Sequence, residues 1–112
     1  MSVPYANLPG FQQRVADFVD AHDLRTTAEA RLLDLVSEVG ELAKEALKAT
    51  RYGREPFISG TAWDDELGDA FFSLVCLANA TAVDLDVALD GALTKYRDRF
   101  SQHGDAGSRP RC

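Results

Sequence analysis

The feature that most constrains this sequence is Ala70–Val83, a stretch of 14 residues without a single charged side chain. It is shorter than the ~20 apolar residues that span a membrane, and Ser73 and Asn79 interrupt it. A helix that is apolar on every side belongs in a protein core. Since a chain of 112 residues forms one domain, we expect the remaining segments to pack around this helix.

The rest of the chain also has helical periodicity. Apolar residues recur at three- and four-residue spacing, and no segment alternates with the period of two that is typical of a strand. Thr26 and Glu29 form an S/T-x-x-E capping box, which predicts the start of the second helix. Glycine and proline cluster in the loop Tyr52–Gly60. The predicted helices are Leu8–His22, Thr26–Thr50, Thr61–Ala82 and Asp84–Phe100.

Four helices of this length predict an all-α, four-helix-bundle-like domain over residues 1–100. The short connections predict antiparallel packing of helix one on helix two, and of helix three on helix four. Residues 101–112 contain turn formers and few apolar residues, so we expect a disordered tail there. The wide apolar faces of helices two and three predict an assembly of identical chains, a homodimer or a homotetramer.

The charged residues are distributed unevenly. The net charge is −6, from 18 acidic and 12 basic residues. Eight of the acidic residues and none of the Lys or Arg residues lie between Glu55 and Thr94, which leaves +2 for the remainder of the chain. Proteins that coat a nucleic-acid polymer are basic, so this protein is not expected to bind one. A polyanion could approach the acidic stretch only with cations in between.

The sequence also indicates where the protein works. Its first residues, MSVPYANLPG, have neither the basic region nor the apolar region of a secretory signal. The two cysteines, Cys76 in an apolar segment and Cys112 at the last position, are a poor framework for a disulfide. These features predict a reduced, cytoplasmic protein that has no membrane partner.

Two segments share the pattern acid, aliphatic, glycine, acid. They are Glu38-Val39-Gly40-Glu41 in helix two and Glu66-Leu67-Gly68-Asp69 in helix three. Residues three positions apart project from one face of a helix, so each segment presents two carboxylates together. A glycine inside a helix costs ~1 kcal/mol relative to alanine. Its presence in both segments indicates that a partner helix or a ligand comes close to the backbone.

The two acidic pairs lie in different surroundings. The pair in helix two belongs to an acidic stripe opposite the apolar face, which in isolation would be a solvated surface. Glu66 and Asp69 directly precede the charge-free stretch of helix three, and this helix contains no base to pair with them. Carboxylates in such places are usually paired or bound to a metal. Packing the two helices together would gather four carboxylates. Oxygen ligands alone favour Mg²⁺, with Mn²⁺ as the alternative.

Further residues follow a known family pattern. An E-x-x-E is followed, after 24 intervening residues, by an E-x-x-D within ELGD, and K-x-x-x-R lies downstream. The segments SEVGELAKEALK, DELGDAFFSLVCLANATAVDLDVAL and TKYRDRF complete the pattern. In this order they resemble the all-α nucleoside triphosphate pyrophosphohydrolases of the MazG-like group, which includes dimeric dUTPases and dCTP pyrophosphatases. The resemblance covers residues 11–100.

The resemblance implies an activity and a set of site residues. Mg²⁺ would bridge a nucleoside triphosphate, and water would attack the α-phosphorus to release the monophosphate and pyrophosphate. Such a reaction serves the housecleaning of the nucleotide pool. Any of the four carboxylates could act as the general base, and Glu41 is our choice. The implied metal ligands are Glu38, Glu41, Glu66 and Asp69.

Four more residues are candidate substrate contacts. Lys95 and Arg99 lie one turn apart at positions similar to those that contact phosphates in the family. A basic last turn that complements the helix dipole explains them equally well. Trp63 lies one turn before Glu66 and could stack on a base or belong to a core or an interface. Asn79 interrupts the buried helix and needs a hydrogen-bond partner, which could be a base or a protein group.

A second hypothesis makes the protein a non-enzymatic dimeric helical interaction module. In that case the acidic residues form a solvated face, and divalent metal has no effect on the stability of the fold. The enzyme hypothesis predicts that divalent metal stabilises the fold, because ligands that bind only the folded state shift the unfolding equilibrium.

Overall fold

The computed structural model describes residues 8–103, which form four helices joined by short loops. No strand occurs within this part of the chain, which confirms the all-α prediction. Residues 1–7 of the predicted domain and 104–112 of the predicted tail lie outside the described residues, whereas 101–103 continue the last helix beyond its predicted end. The helices are α1 (Gly10–Ala21), α2 (Ala28–Ala49), α3 (Thr61–Ala80) and α4 (Leu85–His103).

The start of α2 differs from the predicted capping box. The N-cap is Thr27 rather than Thr26, and its Oγ1 accepts a hydrogen bond from the backbone N–H of Ala30 at 3.1 Å. Because the third residue after this N-cap is an alanine, it has no side chain that could complete a reciprocal bond. Glu29 lies in the first turn instead, where its charge complements the helix dipole.

The first three helices end in the same way. Each is followed by a non-glycine residue with a positive φ: Asp23 at 56°, Arg51 at 47° and Ala82 at 57°. Each of these residues lies in a Schellman motif, in which the next residue donates its N–H to the carbonyl five positions earlier. The N–H of Val83, for example, donates to the carbonyl of Ala78 at 2.9 Å. The left-handed conformation costs a non-glycine residue ~1 kcal/mol.

The centre of the fold is α3. It packs along α2 over most of its length and against α1 on another side. Of the eight buried residues in the described chain, six belong to α3, two to α1 and none to α2 or α4. The charge-free stretch therefore supplies most of the core, as the sequence predicts, but it is not buried on every side, because Phe71 and Leu74 are exposed. The buried residues are Gln12, Ala16, Ala70, Ser73, Val75, Cys76, Ala78 and Asn79.

A cluster of buried amides holds the junction between α3 and α4. Gln12 is fully buried, and its Nε2 donates to Asn79 Oδ1 at 2.9 Å and to the carbonyl of Val83 at 2.8 Å. Its Oε1 accepts the backbone N–H of Leu85, the first residue of α4, at 2.8 Å. Asn79 Nδ2 donates to the backbone carbonyl of Gln12 at 3.1 Å. We call this arrangement the amide clasp, because it ties α1 to the end of one helix and the start of the next.

The predicted antiparallel pairs are wrong. The axis of α4 turns away from that of α3 by 100° instead of reversing, and α4 makes no extended contact with any other described helix. Likewise, α1 packs on α3 rather than along α2. The left-handed conformation of Ala82 and the amide clasp set the angle between α3 and α4. Helical periodicity predicts neither of them. One chain therefore does not close into a complete four-helix bundle.

Much of the apolar surface of the described chain faces water. On α2, Leu33 is 69% and Val36 is 61% exposed, and α4 also exposes large apolar side chains such as Leu89 and Phe100. Extended apolar surfaces of this kind mark sites of interaction. None of the four helices alone is both long and apolar enough to cross a membrane. Only α3 and α4 taken as a bent pair meet that standard of length and composition.

Candidate metal centre

The packing of α2 on α3 brings together three of the four predicted ligands. Carboxylate oxygens of Glu38, Glu66 and Asp69 all lie within 4.8 Å of one another. Glu66 and Asp69 share one face of α3 because they are three positions apart, and Glu38 reaches them from α2. Glu38 and Glu66 are half-buried, whereas Asp69 is exposed. We call these three side chains the carboxylate cluster.

The fourth predicted ligand, Glu41, lies at the edge of this cluster. Its oxygens are not among those within 4.8 Å of one another, but its negative charge helps to raise the pKa of Glu66. Glu45, one turn further along α2, acts on Glu66 in the same way. Glu45 is not among the site residues predicted from the sequence, although helical spacing places it on the same face of helix two as Glu38 and Glu41. Glu45 also pairs with Lys48 at 3.7 Å, so its charge is partly balanced.

Uncompensated negative charge characterises the cluster. Partial burial, together with the charges of Asp69, Glu41, Glu38 and Glu45, raises the pKa of Glu66 above its ordinary value. Within residues 8–103, no Lys or Arg forms an ion pair with any of the four predicted ligands. Two like charges ~5 Å apart repel by ~3 kcal/mol at an effective dielectric constant of ~20. A bound divalent cation would relieve this repulsion.

The chemistry of the cluster fits a hard cation. Its donors are carboxylate oxygens, the ligands that Mg²⁺ and Mn²⁺ prefer. Oxygens that share one Mg²⁺ lie ~3–4 Å apart, so an initial spacing within 4.8 Å needs only a small contraction of the side chains. Glu38 and Glu66 start half-buried, which limits the number of water molecules that compete for the ion.

The two glycines inside the acidic motifs face open space. A Cβ added at Gly40 or Gly68 would meet no atom within 4 Å. No other part of residues 8–103 therefore requires glycine at these positions. Of the two explanations offered by the sequence, packing of a described helix of the same chain does not apply at either glycine.

An apolar groove runs along another side of the α2–α3 pair. It has a volume of about 650 Å³. By helical spacing, its α3 residues lie on a different face from the two α3 carboxylates of the cluster. The seam between these helices thus has one acidic side and one apolar side. The groove is lined mainly by Leu35, Val39, Leu67, Phe71 and Leu74.

Two of the predicted substrate contacts have clear local partners. Trp63 is half-buried, lies one turn before Glu66, and packs edge-on against Phe57 with 4.9 Å between ring centroids. Asn79 is buried, and both polar atoms of its side chain bond to Gln12 in the amide clasp. The structure therefore shows the second of the two predicted roles of Asn79, a structural hydrogen bond, while its role as a substrate contact stays a prediction.

The other two predicted contacts, Lys95 and Arg99, are not brought to the cluster. Both lie on α4 and flank the ring of Tyr96, at 5.5 Å for Lys95 Nζ and 5.7 Å for Arg99 Cζ. These are cation–π distances. Because α4 does not pack along α2 or α3, one chain keeps its phosphate-binding candidates apart from its carboxylates.

Comparisons with known proteins agree with the resemblance seen in the sequence. The family model of the MazG nucleotide pyrophosphohydrolase domain matches residues 26–103, which contain every carboxylate of the cluster. The uncharacterized protein YpjD of Bacillus subtilis (strain 168) is 37% identical over 73 residues. The matched region makes up 62% of this chain and 64% of YpjD, just under two thirds of that relative's length. No solved structure matches the chain significantly.

Proposed function

The chain belongs to the MazG nucleotide pyrophosphohydrolase domain family, and from this premise we propose that it is a Mg²⁺-dependent nucleoside triphosphate pyrophosphohydrolase. It converts a ribo- or deoxyribonucleoside triphosphate to the monophosphate and pyrophosphate, and so removes unwanted nucleotides from the pool. One observation carries the proposal. Three carboxylates from two helices gather within 4.8 Å, and no base among the described residues neutralises them.

The metal is held by Glu38, Glu66 and Asp69, with Glu41 beside them. Mg²⁺, or Mn²⁺ in its place, supplies charge neutralisation and Lewis acidity toward the triphosphate. The raised pKa of Glu66 indicates that the ionised cluster is electrostatically unfavourable without a cation. Binding a cation there therefore lowers the energy of the site, and the cation gives an anionic substrate access to an acidic surface.

Glu41 acts as the general base in this proposal. It is exposed at the edge of the cluster, so its carboxylate can face a water molecule beside the substrate. Glu41 accepts a proton from this water while the water oxygen bonds to the α-phosphorus. The bond from the α-phosphorus to the bridging oxygen breaks, and the electron pair leaves with pyrophosphate.

Trp63 provides the stacking surface for the nucleobase. Its ring is half-buried, and the edge contact with Phe57 fixes its orientation one turn from Glu66. Flat indole rings stack on bases at little entropic cost because few side-chain torsions are involved. A base on Trp63 would leave its triphosphate within reach of the carboxylates on the same helix.

We further propose that the protein is a homodimer or a homotetramer in the cytoplasm, where its substrates belong to the nucleotide pool. The apolar face of α2 and the adjoining groove expose large side chains such as Val36, Val39 and Leu67. Obligate homodimers bury ~2,000–5,000 Å² of mostly apolar surface. A second copy presents the same surface, so a two-fold interface would cover both at once.

Two measurements test the proposed activity. The first is pyrophosphate release from a panel of canonical and damaged NTPs and dNTPs with Mg²⁺ or Mn²⁺. The second is thermal unfolding with and without the metal, since a ligand at 100 times its Kd stabilises the folded state by ~2.7 kcal/mol. We expect Asp69→Asn and Glu41→Gln to lose hydrolysis, and Asp69→Asn also to lose most of the metal-induced rise in Tm. Asp65→Asn, an exposed neighbour outside the cluster, is the matched control.

Two outcomes would count against the proposal. If millimolar metal leaves Tm unchanged and no nucleotide releases pyrophosphate, the protein is the non-enzymatic helical module with a solvated acidic face. If hydrolysis persists unchanged in both Asp69→Asn and Glu41→Gln, the carboxylate cluster is not the reaction site.

A further inference from the structure

We infer that the base-binding surface at Trp63 selects nucleotides whose base carries a fixed positive charge, as a base methylated on a ring nitrogen does. The inference rests on the proposed function and names the substrate class of the same site. It follows from the open face of the indole ring, from the absence of a protein cation on that ring within the described chain, and from the negative charge around it.

Trp63 presents an open ring surface. Its ring and that of Phe57 are inclined by 72°, with 4.9 Å between their centroids. In an edge-to-face pair one ring meets the other with its edge, so Phe57 covers at most one of the two faces of the indole. Trp63 is half-buried, and Phe57 is 43% exposed. The pair therefore forms a corner in which a planar base can stack on the indole.

No Lys or Arg among residues 8–103 occupies this ring. The cation–π contacts in this part of the chain both involve Tyr96 on α4. Trp63 is also the only tryptophan of the sequence, and tryptophan attracts cations more strongly than tyrosine or phenylalanine does. The ring with the highest affinity for a cation is therefore left to a ligand.

The charges around Trp63 are mostly negative. Three acidic residues follow it directly in α3, and no Lys or Arg occurs between residues 55 and 94. The nearest basic residues before it in the sequence are Lys48, Arg51 and Arg54. Lys48 and Arg51 are each paired with a carboxylate, at 3.7 Å and 3.2 Å, so only Arg54 offsets the three acids. A cationic base is stabilised in such surroundings, whereas a neutral base gains nothing from them.

A metal at the carboxylate cluster does not remove this negative charge. The metal neutralises its ligands and the triphosphate, but Asp64 is not one of those ligands. Asp64 is exposed in the first turn of α3 and forms no ion pair within the described chain. Its charge therefore remains beside Trp63 after the metal and the phosphates have neutralised each other.

Methylation of a ring nitrogen produces the base that fits this surface. A methyl group on N1 of adenine or N3 of cytosine gives a planar ring that is positively charged at neutral pH, and such a ring can both stack on the indole and attract its π electrons. A methyl group on the exocyclic nitrogen of the same base leaves the ring neutral. The two products differ only in the position of the methyl group and in one proton.

Pairs of such nucleotides test the inference. The cationic members are N1-methyl-ATP and N3-methyl-CTP, and their neutral counterparts are N6-methyl-ATP and N4-methyl-CTP. Pyrophosphate release with Mg²⁺ gives kcat/KM for all four at neutral pH. We expect kcat/KM to be about tenfold higher for the cationic member of each pair.

The fluorescence of Trp63 provides a second readout that does not depend on turnover. Because the chain has no other tryptophan, quenching of its emission reports a base stacked on this ring. The titration uses the Glu41→Gln variant with Mg²⁺, so that the bound triphosphates stay intact. We expect the Kd of each cationic nucleotide to be about tenfold lower than that of its neutral counterpart.

Two variants and a matched control locate the origin of the preference. Trp63→Leu should reduce the ratio of kcat/KM within each pair to about two, because the cation–π contribution is lost. Asp64→Asn should lower the ratio about twofold. Asp86→Asn, which lies in the first turn of α4 as Asp64 lies in that of α3, should keep the ratio. The ratio compares two substrates of one variant, so a loss of stability does not change it.

Three results would overturn the inference. They are equal kcat/KM for both members of each pair, a preference for the neutral members, and an undiminished ratio in Trp63→Leu. Failure to release pyrophosphate from any nucleotide would instead refute the proposed hydrolysis, and the fluorescence titration would still decide the preference for charge. The two failures are therefore distinguishable.

Discussion

The two polar clusters of α3 have opposite characters. Near its C-terminal end, the side chains of the amide clasp are buried and uncharged, and each of their polar atoms has a partner. In its N-terminal half, the carboxylate cluster is only half-buried, is charged, and has no ion pair among the described residues. Polar groups that the chain satisfies itself hold the fold together. Polar groups that it leaves uncompensated are available to a ligand.

Breaking the clasp should have the largest effect on stability. Gln12→Ala removes three hydrogen bonds, one from the buried Asn79 Oδ1 and two from the part-buried Val83 carbonyl and Leu85 N–H. We expect a loss of about 3 kcal/mol in the free energy of unfolding, measured by chemical denaturation. Gln13→Ala is the control, because Gln13 makes only an exposed bond to Asp17 and its removal should cost less than about 0.5 kcal/mol. Equal losses in the two variants would contradict a special role for the clasp.

Neutralising a carboxylate of the cluster should abolish the response to metal without destabilising the metal-free protein, in contrast to breaking the clasp. Glu66→Gln removes a ligand and also a charge that is repelled by its neighbours. The metal-induced rise in Tm should therefore disappear, while the metal-free protein becomes slightly more stable at neutral pH. Asp65→Asn should keep the metal response. A metal response in Glu66→Gln equal to that of the wild type would separate Glu66 from the metal site.

The raised pKa of Glu66 predicts a smaller effect, which is a pH dependence of the free energy of unfolding. The folded metal-free protein holds this proton more tightly than the unfolded chain does. The resulting stabilisation is complete below the ordinary glutamate pKa and is lost as the pH rises through the raised pKa. Since the metal needs the ionised carboxylate, the metal-induced rise in Tm should grow over the same interval. Thermal unfolding from acidic to neutral pH measures both trends, and identical curves for Glu66→Gln and wild type would refute them.

The smallest predicted effect concerns Ala82, in the turn between α3 and α4. Ala82 has a φ of 57°, a conformation that glycine adopts without strain. Ala82→Gly should therefore stabilise the protein by about 0.5 kcal/mol, because the removed strain exceeds the added entropy of the unfolded chain. Ala80→Gly, at the last residue of α3, should instead destabilise it, by less than the ~1 kcal/mol that glycine costs in a helix interior. Chemical denaturation of both variants would show whether their effects differ in sign.

The sequence predicts the carboxylate cluster better than the clasp for a physical reason. Glu66 and Asp69 are linked by helical spacing alone, and Glu38 belongs to a matching motif, so local geometry predicts most of the site. Gln12 and Asn79 are unusual polar residues in apolar segments. Their pairing depends on how α1 crosses α3, which periodicity does not specify.

The direction of α4 was mispredicted for a similar reason. Periodicity predicts a helix over residues 84–100, and the structure has one from Leu85 to His103. The turn before them depends on a left-handed conformation at Ala82, an alanine that gives no sequence signal comparable to a glycine. The start of α2 shows the same limit on a smaller scale, because Thr26 and Thr27 are both good N-caps and backbone geometry selects the second.

The absence of any buried residue in α2 has a consequence for backbone exchange with solvent deuterium. Amides of α3 between Ala70 and Asn79 should exchange only when the whole domain opens, whereas those of α2 should exchange through local opening. The carboxylate cluster links these two helices, since Glu38 lies on α2, which exchanges through local opening, and the other two ligands lie on the protected helix α3. A metal ion bound at the cluster should therefore slow exchange most strongly along α2, including at amides that do not contact the ion.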